Sequence, residues 1–226
     1  MKFQLALDVR SMDEAQEMLD AAGDYADLIE IGSPLVMAEG MSAVKYVRKK
    51  YPDKPILADC KIMDASAYMV PKAAEAGANI VTVLAAAHDF TLQEHVRVCH
   101  ELGMKAAVDL IQIPTDKLEA KMEELADFGF DYFFMHAPSE ALRPTEPLQI
   151  TRIKKMLKVI PHTKLCIAHS LDYKKLEQVL AFKPEYTVVS LPIMHGLTSF
   201  GGNKAMREEA ALKVRQIFDR CNKIYK

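Results

Sequence analysis

The sequence predicts an α/β protein folded as a parallel (β/α)8 TIM barrel. Short apolar runs of β type recur along the chain with amphipathic helical stretches between them, the pattern of βα units around a parallel sheet. Eight such units fit the 226 residues, a length in the range of one barrel, so we expect a single domain over residues 1–226. Several of the strands end in a polar or ionisable residue.

Eight strands are predicted from these runs. In chain order they cover residues 3–8, 28–32, 56–61, 80–84, 106–110, 132–136, 164–168 and 187–191. Between them, apolar residues three and four apart predict eight helices, for example at Leu118, Met122 and Leu125, and the last helix covers roughly 204–225. An open doubly wound sheet is the alternative, but it often has a glycine-rich first turn, and residues 8–12 contain no glycine.

Composition excludes several classes of function. Half of the residues are hydrophobic and the formal net charge is −2, so the chain lacks the basic field that nucleic-acid binding usually requires. The apolar runs are far shorter than the ~20 residues of a membrane span, so no membrane contact is expected. The four cysteines are scattered along the sequence, which suggests no zinc knuckle or disulfide framework and fits a cytoplasmic location.

Polar residues at the strand ends are the candidate site, because a parallel barrel builds its active site at the carboxyl ends of its strands. Five strands end in this way. The residues concerned are Asp8, Glu30, the set Asp59, Lys61 and Asp64, Asp109, and His136.

Asp59 and Lys61 are two residues apart, so both side chains point to the same side of the third strand, and Asp64 follows in the next turn. A buried carboxylate and ammonium each offset the other's loss of hydration. The pair also holds a positive charge where an anion can develop, which makes Lys61 a candidate electrophilic stabiliser. The alternative is an ion pair that only closes the barrel.

Glu30 and Asp59 project from adjacent strands and offer two hard oxygen ligands with room for water and substrate oxygens, an arrangement typical of Mg²⁺. Alternatively, the two acids are neutralised by Lys61 without a metal. His136 ends a hydrophobic strand, where a histidine is often a core residue. Beside acids and a lysine, proton transfer near neutral pH is the better interpretation.

Four segments carry a family resemblance. They are Gln-Leu-Ala-Leu-Asp at 4–8, Glu-Ile-Gly-Ser-Pro at 30–34, Leu-Ala-Asp-Cys-Lys-Ile-Met-Asp-Ala at 57–65 and Ala-Gly-Ala-Asn-Ile-Val-Thr-Val-Leu at 76–84. They resemble the orotidine-monophosphate decarboxylase superfamily, most of all the branch of 3-hexulose-6-phosphate synthase and 3-keto-L-gulonate-6-phosphate decarboxylase. The match is dense over residues 3–110, and its Asp-x-Lys-x-x-Asp motif is a specific signal.

The resemblance implies a Mg²⁺-dependent carbon–carbon lyase that works through an enediolate anion. Glu30 and Asp59 would hold the metal, Lys61 would stabilise the enediolate, and Asp64 would orient Lys61 or the substrate. His136 would deliver or remove a proton at the reacting carbon.

The resemblance also implies substrate contacts and a partner. Asp8 would bind substrate hydroxyls, and we expect Asp109 to contact the substrate as well. The family is typically a homodimer in which the acid matching Asp64 reaches the neighbouring subunit's site.

The chain departs from the family pattern at the phosphate-binding end. The family's glycine-rich turns after strands seven and eight are replaced by residues 168–171 and 190–193, where Pro192 cannot donate a backbone hydrogen bond. Ser139 stands where the decarboxylases carry an arginine, and the Thr-Gly of the synthases is absent. Either the substrate carries another group, or phosphate binds through donors chosen from Ser170, Ser190, His169, His195 and Arg143 or the Gly201-Gly202 turn. That turn has a simpler interpretation, as the start of the last helix with Asn203 as its cap.

The leading hypothesis is therefore a lyase acting on a sugar phosphate by decarboxylation or aldol chemistry. An isomerase or epimerase with the same intermediate is the nearest alternative, and a catalytically inactive binding homologue is a third. Orotidine-monophosphate decarboxylase itself is disfavoured, because Glu30 stands where that enzyme has a lysine.

Overall fold

The computed structural model describes residues 1–136, 138, 148–169, 171–194 and 202–225. Predictions for Ser139, Arg143, Ser170, His195 and Gly201 lie outside the described residues.

Eight parallel strands close into a barrel in chain order, and β1 pairs with both β2 and β8. The predicted (β/α)8 fold is confirmed, with every strand end within two residues of its expected position. The strands are β1 Lys2–Leu7, β2 Leu28–Ile31, β3 Ile56–Ile62, β4 Ile80–Leu84, β5 Lys105–Asp109, β6 Tyr132–His136, β7 Leu165–Ala168 and β8 Tyr186–Val189.

The prediction of eight helices was wrong, because the described residues contain ten α-helices and one short 3-10 helix, His162–Lys164. Two helices cross from β2 to β3, separated at Gly40, whose φ of +59° interrupts the helix. The α-helices are α1 Met12–Ala22, α2 Ser33–Glu39, α3 Met41–Lys50, α4 Ser66–Ala76, α5 Asp89–Glu101, α6 Leu118–Phe128, α7 Ile150–Val159, α8 Tyr173–Leu180, α9 Leu191–Met194 and α10 Lys204–Ile224.

Side-chain caps define where several helices begin. Ser11, Asp172 and Asn203 each accept a hydrogen bond from a backbone N–H in the first turn of α1, α8 and α10. The predicted Asn203 cap is confirmed. No helix in the described parts of the chain is long and apolar enough to cross a membrane.

Alternation along the strands divides the apolar residues into two layers. Phe3, Leu5 and Leu7 of β1 pack with the helices in the larger core. A smaller cluster fills the barrel interior and consists of Leu28, Leu57, Ile80, Ala107, Phe134, Cys166, Ala168 and Tyr186. Most of its members lie two positions before a polar residue of the same strand. The polar residues at the strand ends therefore pack on top of this apolar layer of the barrel interior.

Candidate active site

A bulge near the end of β3 brings Lys61 into the site. Ala58 pairs with Val81 and Ile62 pairs with Val83, so four steps along β3 match two along β4. Lys61 lies in this bulge with a φ of +44°, a conformation that a residue with a side chain rarely adopts. Its backbone N–H donates to Thr82 Oγ1 at 2.9 Å.

Asp59 lies at the centre of the site and is 6% exposed. Its Oδ1 accepts from Thr82 Oγ1 at 2.8 Å, and its Oδ2 accepts from Ser33 Oγ at 2.7 Å and from Lys61 Nζ. Burial by itself would raise the pKa of Asp59, but the charge and hydrogen bond of Lys61 outweigh burial and lower that pKa. Asp59 is therefore a carboxylate at neutral pH.

Lys61 Nζ contacts Asp59, donates to Ser33 Oγ at 2.9 Å and lies 3.8 Å from Asp109 Oδ2. Burial would lower the pKa of this amine, but the charges of Asp59 and Asp109 raise it well above its usual range. The group therefore stays an ammonium ion. The structure brings Lys61 and Asp59 into contact, as expected, but through the β3 bulge and not through the regular alternation of a strand.

Asp109 and His136 form a hydrogen-bonded pair at the ends of β5 and β6. Asp109 Oδ2 lies 2.8 Å from His136 Nδ1, and its Oδ1 accepts from the Ile111 N–H at 2.9 Å. Burial would lower the pKa of His136, and the charge of Asp109 outweighs burial and raises it. Because Nδ1 donates to the carboxylate, Nε2 is left for proton transfer.

Glu30 and Asp8 add two further acids at the ends of β2 and β1. Gln4 Nε2 donates to Glu30 Oε2 at 2.5 Å. Burial and the neighbouring Asp59 charge raise the pKa of both acids, that of Glu30 well above its usual value. A Cβ on Gly32 would lie 2.2 Å from Asp8 Oδ1, so this approach requires glycine.

The donor set fits a divalent cation. Asp8, Glu30, Asp59 and Asp109 are gathered around Lys61 and His136, and burial together with the negative charge of neighbouring acids raises the pKa values of Glu30 and Asp8. The described residues contain no group of three or more His, Cys, Asp or Glu side chains arranged to hold a metal. Glu30 and Asp59 lie on the paired strands β2 and β3 and could supply the one or two carboxylates that Mg²⁺ commonly takes, with water and substrate oxygens completing its shell.

The remaining predicted residues are divided between the mouth, the surface and the undescribed parts. His169 follows β7 and is buried, and Ser190 follows β8 and is half-buried, so both lie at the carboxyl ends of the strands. Asp64 is exposed and accepts from the Ala65 N–H at 2.7 Å, and no described ion pair joins it to Lys61. Ser170 and Arg143 lie outside the described residues.

Gln4, Ser33, Thr82 and Arg152 were not predicted. Gln4 and Thr82 are polar residues in apolar strands. Each is an even number of positions from the end of its predicted strand, Asp8 and Leu84 respectively, so strand alternation could have identified both as inward-facing. Nothing in the sequence pointed to Arg152. The residue is 7% exposed, and its guanidinium donates to two carbonyls of the loop after β5, at 2.6 Å and 3.0 Å.

His136 also opens to solvent. It borders a cleft of about 540 Å³ between the loop after β5 and the start of α7. The lining of this cleft includes Gln112, Thr115, Gln149 and Arg152. His136 is therefore the residue of the charged cluster that borders this cleft.

Comparisons with known proteins show the family of the chain and support its fold. A family model described as "Orotidine 5'-phosphate decarboxylase / HUMPS family" matches residues 1–195. The 3-hexulose-6-phosphate synthase of Bacillus subtilis (strain 168) is 35% identical over 221 residues, which cover 96% of this chain and 98% of that protein. The crystal structure of 3-hexulose-6-phosphate synthase from Salmonella typhimurium has a TM-score of 0.86 at 30% identity and covers 98% of this chain and 100% of its own.

A more distant crystal structure, that of KGPDC from Streptococcus mutans in a ligand complex, has a TM-score of 0.83 at 20% identity and covers 100% of this chain and 99% of its own, which shows the shared fold. The family resemblance and the expectation of a carbon–carbon lyase are confirmed. The chain belongs to the orotidine 5'-phosphate decarboxylase / HUMPS family.

Proposed function

We propose that this chain is a Mg²⁺-dependent aldehyde-lyase that makes and breaks the carbon–carbon bond of a 3-hexulose 6-phosphate. The connected series Asp59, Lys61, Asp109 and His136 carries the proposal, because it joins a fixed positive charge to an oriented proton carrier. The relatives that are at least 30% identical are named 3-hexulose-6-phosphate synthases, which favours aldol chemistry over decarboxylation.

The substrate's carbonyl position determines the reaction. A 3-hexulose 6-phosphate has its ketone at C3, so cleavage of the C1–C2 bond leaves the electron pair in a C2–C3 enediolate. The C1 hydroxyl loses its proton as C1 departs as formaldehyde, and C2 then gains a proton to give a pentulose 5-phosphate. In synthesis, a proton leaves C1 of the pentulose phosphate and the enediolate attacks formaldehyde.

Lys61 stabilises the enediolate in this proposal. Its ammonium is already held by Asp59 and Ser33, so it needs little reorganisation as negative charge develops on the substrate oxygen. The nearby Asp109 keeps Lys61 protonated in the low-dielectric site.

His136 moves the proton. Asp109 fixes the ring through Nδ1, so Nε2 is the nitrogen that exchanges a proton with the reacting carbon or the formaldehyde oxygen. The charge and hydrogen bond of Asp109 raise the pKa of His136 despite its burial, which favours the protonated ring as a proton donor.

Glu30 and Asp59 are the proposed metal ligands, with Gln4 orienting Glu30 and with Ser33 and Thr82 orienting Asp59. When bound, Mg²⁺ supplies Lewis-acid polarisation of the substrate's carbonyl and hydroxyl oxygens. Asp8 is close enough to Glu30 for its charge to raise the pKa of Glu30, and in this proposal it accepts hydrogen bonds from substrate hydroxyls.

The phosphate end is assigned to the mouth near β7 and β8. His169 and Ser190 are the described donors there, and Ser170 and Arg143 stay proposals on sequence grounds. Phosphate groups commonly bind in this region of (β/α)8 barrels, which supports the placement.

We also propose a homodimer in which Asp64 reaches the partner's site. Met37, Met63 and Tyr68 are 86%, 51% and 71% exposed, and they lie in the segments that follow β2 and β3, as Asp64 does. Large apolar side chains are seldom exposed together unless they form a contact surface. A cytoplasmic location and the absence of nucleic-acid partners remain predictions.

Product analysis tests the proposal. The purified protein is incubated with Mg²⁺, ribulose 5-phosphate and formaldehyde, and formaldehyde consumption is followed together with the mass of the sugar product. We expect formation of a hexulose phosphate, its loss when EDTA removes the metal, and its loss in Lys61→Met.

Other outcomes assign other activities. Release of CO₂ from a 3-keto-hexonate phosphate, without formaldehyde turnover, would make the chain a decarboxylase. Exchange of the pentulose C1 hydrogen with deuterated water, without either product, would favour an isomerase or epimerase. Failure of all three reactions would favour the binding homologue.

A further inference from the structure

Thr82 is the inward-facing polar residue of β4 and is 2% exposed. Its hydroxyl oxygen accepts from the Lys61 N–H at 2.9 Å and its proton goes to Asp59 Oδ1 at 2.8 Å. These directions are fixed, because an amide can only donate and the Asp59 carboxylate can only accept. One side chain thus contacts both charged residues of β3.

The hydroxyl also pairs with the backbone of β3 where that strand is irregular. In the β3 bulge, Lys61 has a φ of +44°, falls between the paired residues Ala58 and Ile62 of the β3–β4 register, and donates its N–H to the Thr82 hydroxyl. A buried N–H without a partner is costly, so Thr82 stabilises a backbone conformation that would otherwise be unfavourable. That conformation directs Lys61 Nζ to Asp59 and to within 3.8 Å of Asp109.

We propose that Thr82 is a positioning residue for the lyase reaction: its hydroxyl holds the bulge that places the Lys61 ammonium and fixes the orientation of the Asp59 carboxylate. The inference rests on the proposed function and adds a specific residue to it. Lys61 is separated from β4 by the bulge, so its position depends on this side-chain bond more than on the regular strand ladder.

Two substitutions separate this role from simple packing. Thr82→Val keeps the shape and β-branching of threonine but removes the hydroxyl, and Thr82→Ser keeps the hydroxyl. Thr187→Val is the matched control: Thr187 is a buried threonine of β8, 0% exposed, and its hydroxyl has no hydrogen-bond partner within the described residues.

Three properties are measured in each variant: stability by urea unfolding, steady-state formaldehyde consumption with Mg²⁺ and ribulose 5-phosphate, and hydrogen exchange of the Lys61 amide. For Thr82→Val we expect kcat to fall about 10- to 100-fold, since small displacements of a catalytic group have effects of this size. The KM for ribulose 5-phosphate should change by less than about threefold, because phosphate and hydroxyl contacts are untouched. The Lys61 amide should exchange faster.

Thr82→Ser should recover most of the kcat and protect the Lys61 amide, and Thr187→Val should match the wild type in both. The proposal is overturned if Thr82→Val folds with wild-type kcat, or if Thr82→Ser loses as much kcat as Thr82→Val. A fall in stability with unchanged kcat would mean that Thr82 only supports the fold.

Amide exchange separates this inference from the proposed function. If the wild type does not consume formaldehyde but the Lys61 amide still exchanges faster in Thr82→Val, Thr82 holds the bulge as proposed and the reaction assignment is wrong. If the wild type is active and the Lys61 amide exchanges equally in all variants, the positioning role is wrong.

Discussion

Replacing Lys61 by methionine tests whether the acidic cluster is held together by that lysine. Methionine is similar in length but carries no charge, so Asp59 would lose an ion pair and Asp109 would lose a cation at 3.8 Å. The side chains of Lys61 and Asp59 are only 23% and 8% exposed. Water can therefore compensate for the lost charge only in part.

The expected loss of unfolding free energy is about 3–5 kcal/mol, the usual effect of breaking a buried pair by removing one partner. The interaction with Asp109 is consistent with that size: two unit charges about 4 Å apart interact by about 4 kcal/mol at an effective dielectric constant near 20. The substitution also removes the cost of burying the lysine charge, which offsets part of the loss. We therefore expect a loss of unfolding free energy near the lower limit of this range.

The loss should depend on pH. Lys61 lowers the pKa of Asp59 in the folded protein, so the pair contributes stability above the unfolded pKa of aspartate, near 4, and that contribution is lost as pH falls through the lower folded value. The difference between Lys61→Met and the wild type should therefore be greatest at neutral pH and shrink below about pH 4.

Urea unfolding at pH 7.5 and thermal melting from pH 3.5 to 8 measure these changes. Lys50→Met is the matched control, because Lys50 pairs with Asp20 near the surface and its removal should cost less than about 1 kcal/mol. If Lys61→Met is as stable as the wild type at pH 7.5, the acids are balanced by shared protons and the reasoning from an ionised pair fails.

Three further predictions concern the neighbours of this pair. Asp109→Asn should lower the pKa of His136, so the His136 limb of the rate–pH profile moves to lower pH and kcat falls about 10²- to 10⁴-fold; an unmoved limb would exclude the pairing as its cause. Gln4→Leu should weaken Mg²⁺ binding about 10- to 100-fold by calorimetry, because Glu30 loses its orienting donor, and unchanged affinity would remove Glu30 from the metal site. Arg152→Met should lower unfolding free energy in urea by about 1–3 kcal/mol by leaving two loop carbonyls unpaired, and an unaffected stability would show that water replaces the guanidinium.

The residues at the strand ends show how much of the site could be predicted from the local hydrophobic pattern. Asp8, Glu30, Asp109 and His136 were identified because apolar runs of strand length end at them, and parallel strands in one barrel must bring those ends together. The same rule of alternation would have selected Thr82 as an inward residue. It could not show that the Thr82 hydroxyl serves Asp59 and Lys61 at once, since that depends on the register between β3 and β4.

The sequence by itself determined the barrel, the mouth and the types of charged group gathered there, because alternation and the order of strands follow from local hydrophobic pattern. Tertiary structure alone decided which groups touch: the pairing of Asp109 with His136, the bulge that turns Lys61 toward Asp59, and the Arg152 contacts to the loop after β5. These contacts join residues 27 to 42 positions apart in sequence or depend on a single irregular φ value. Local propensity contains no information on such distances, so packing of the closed barrel sets them.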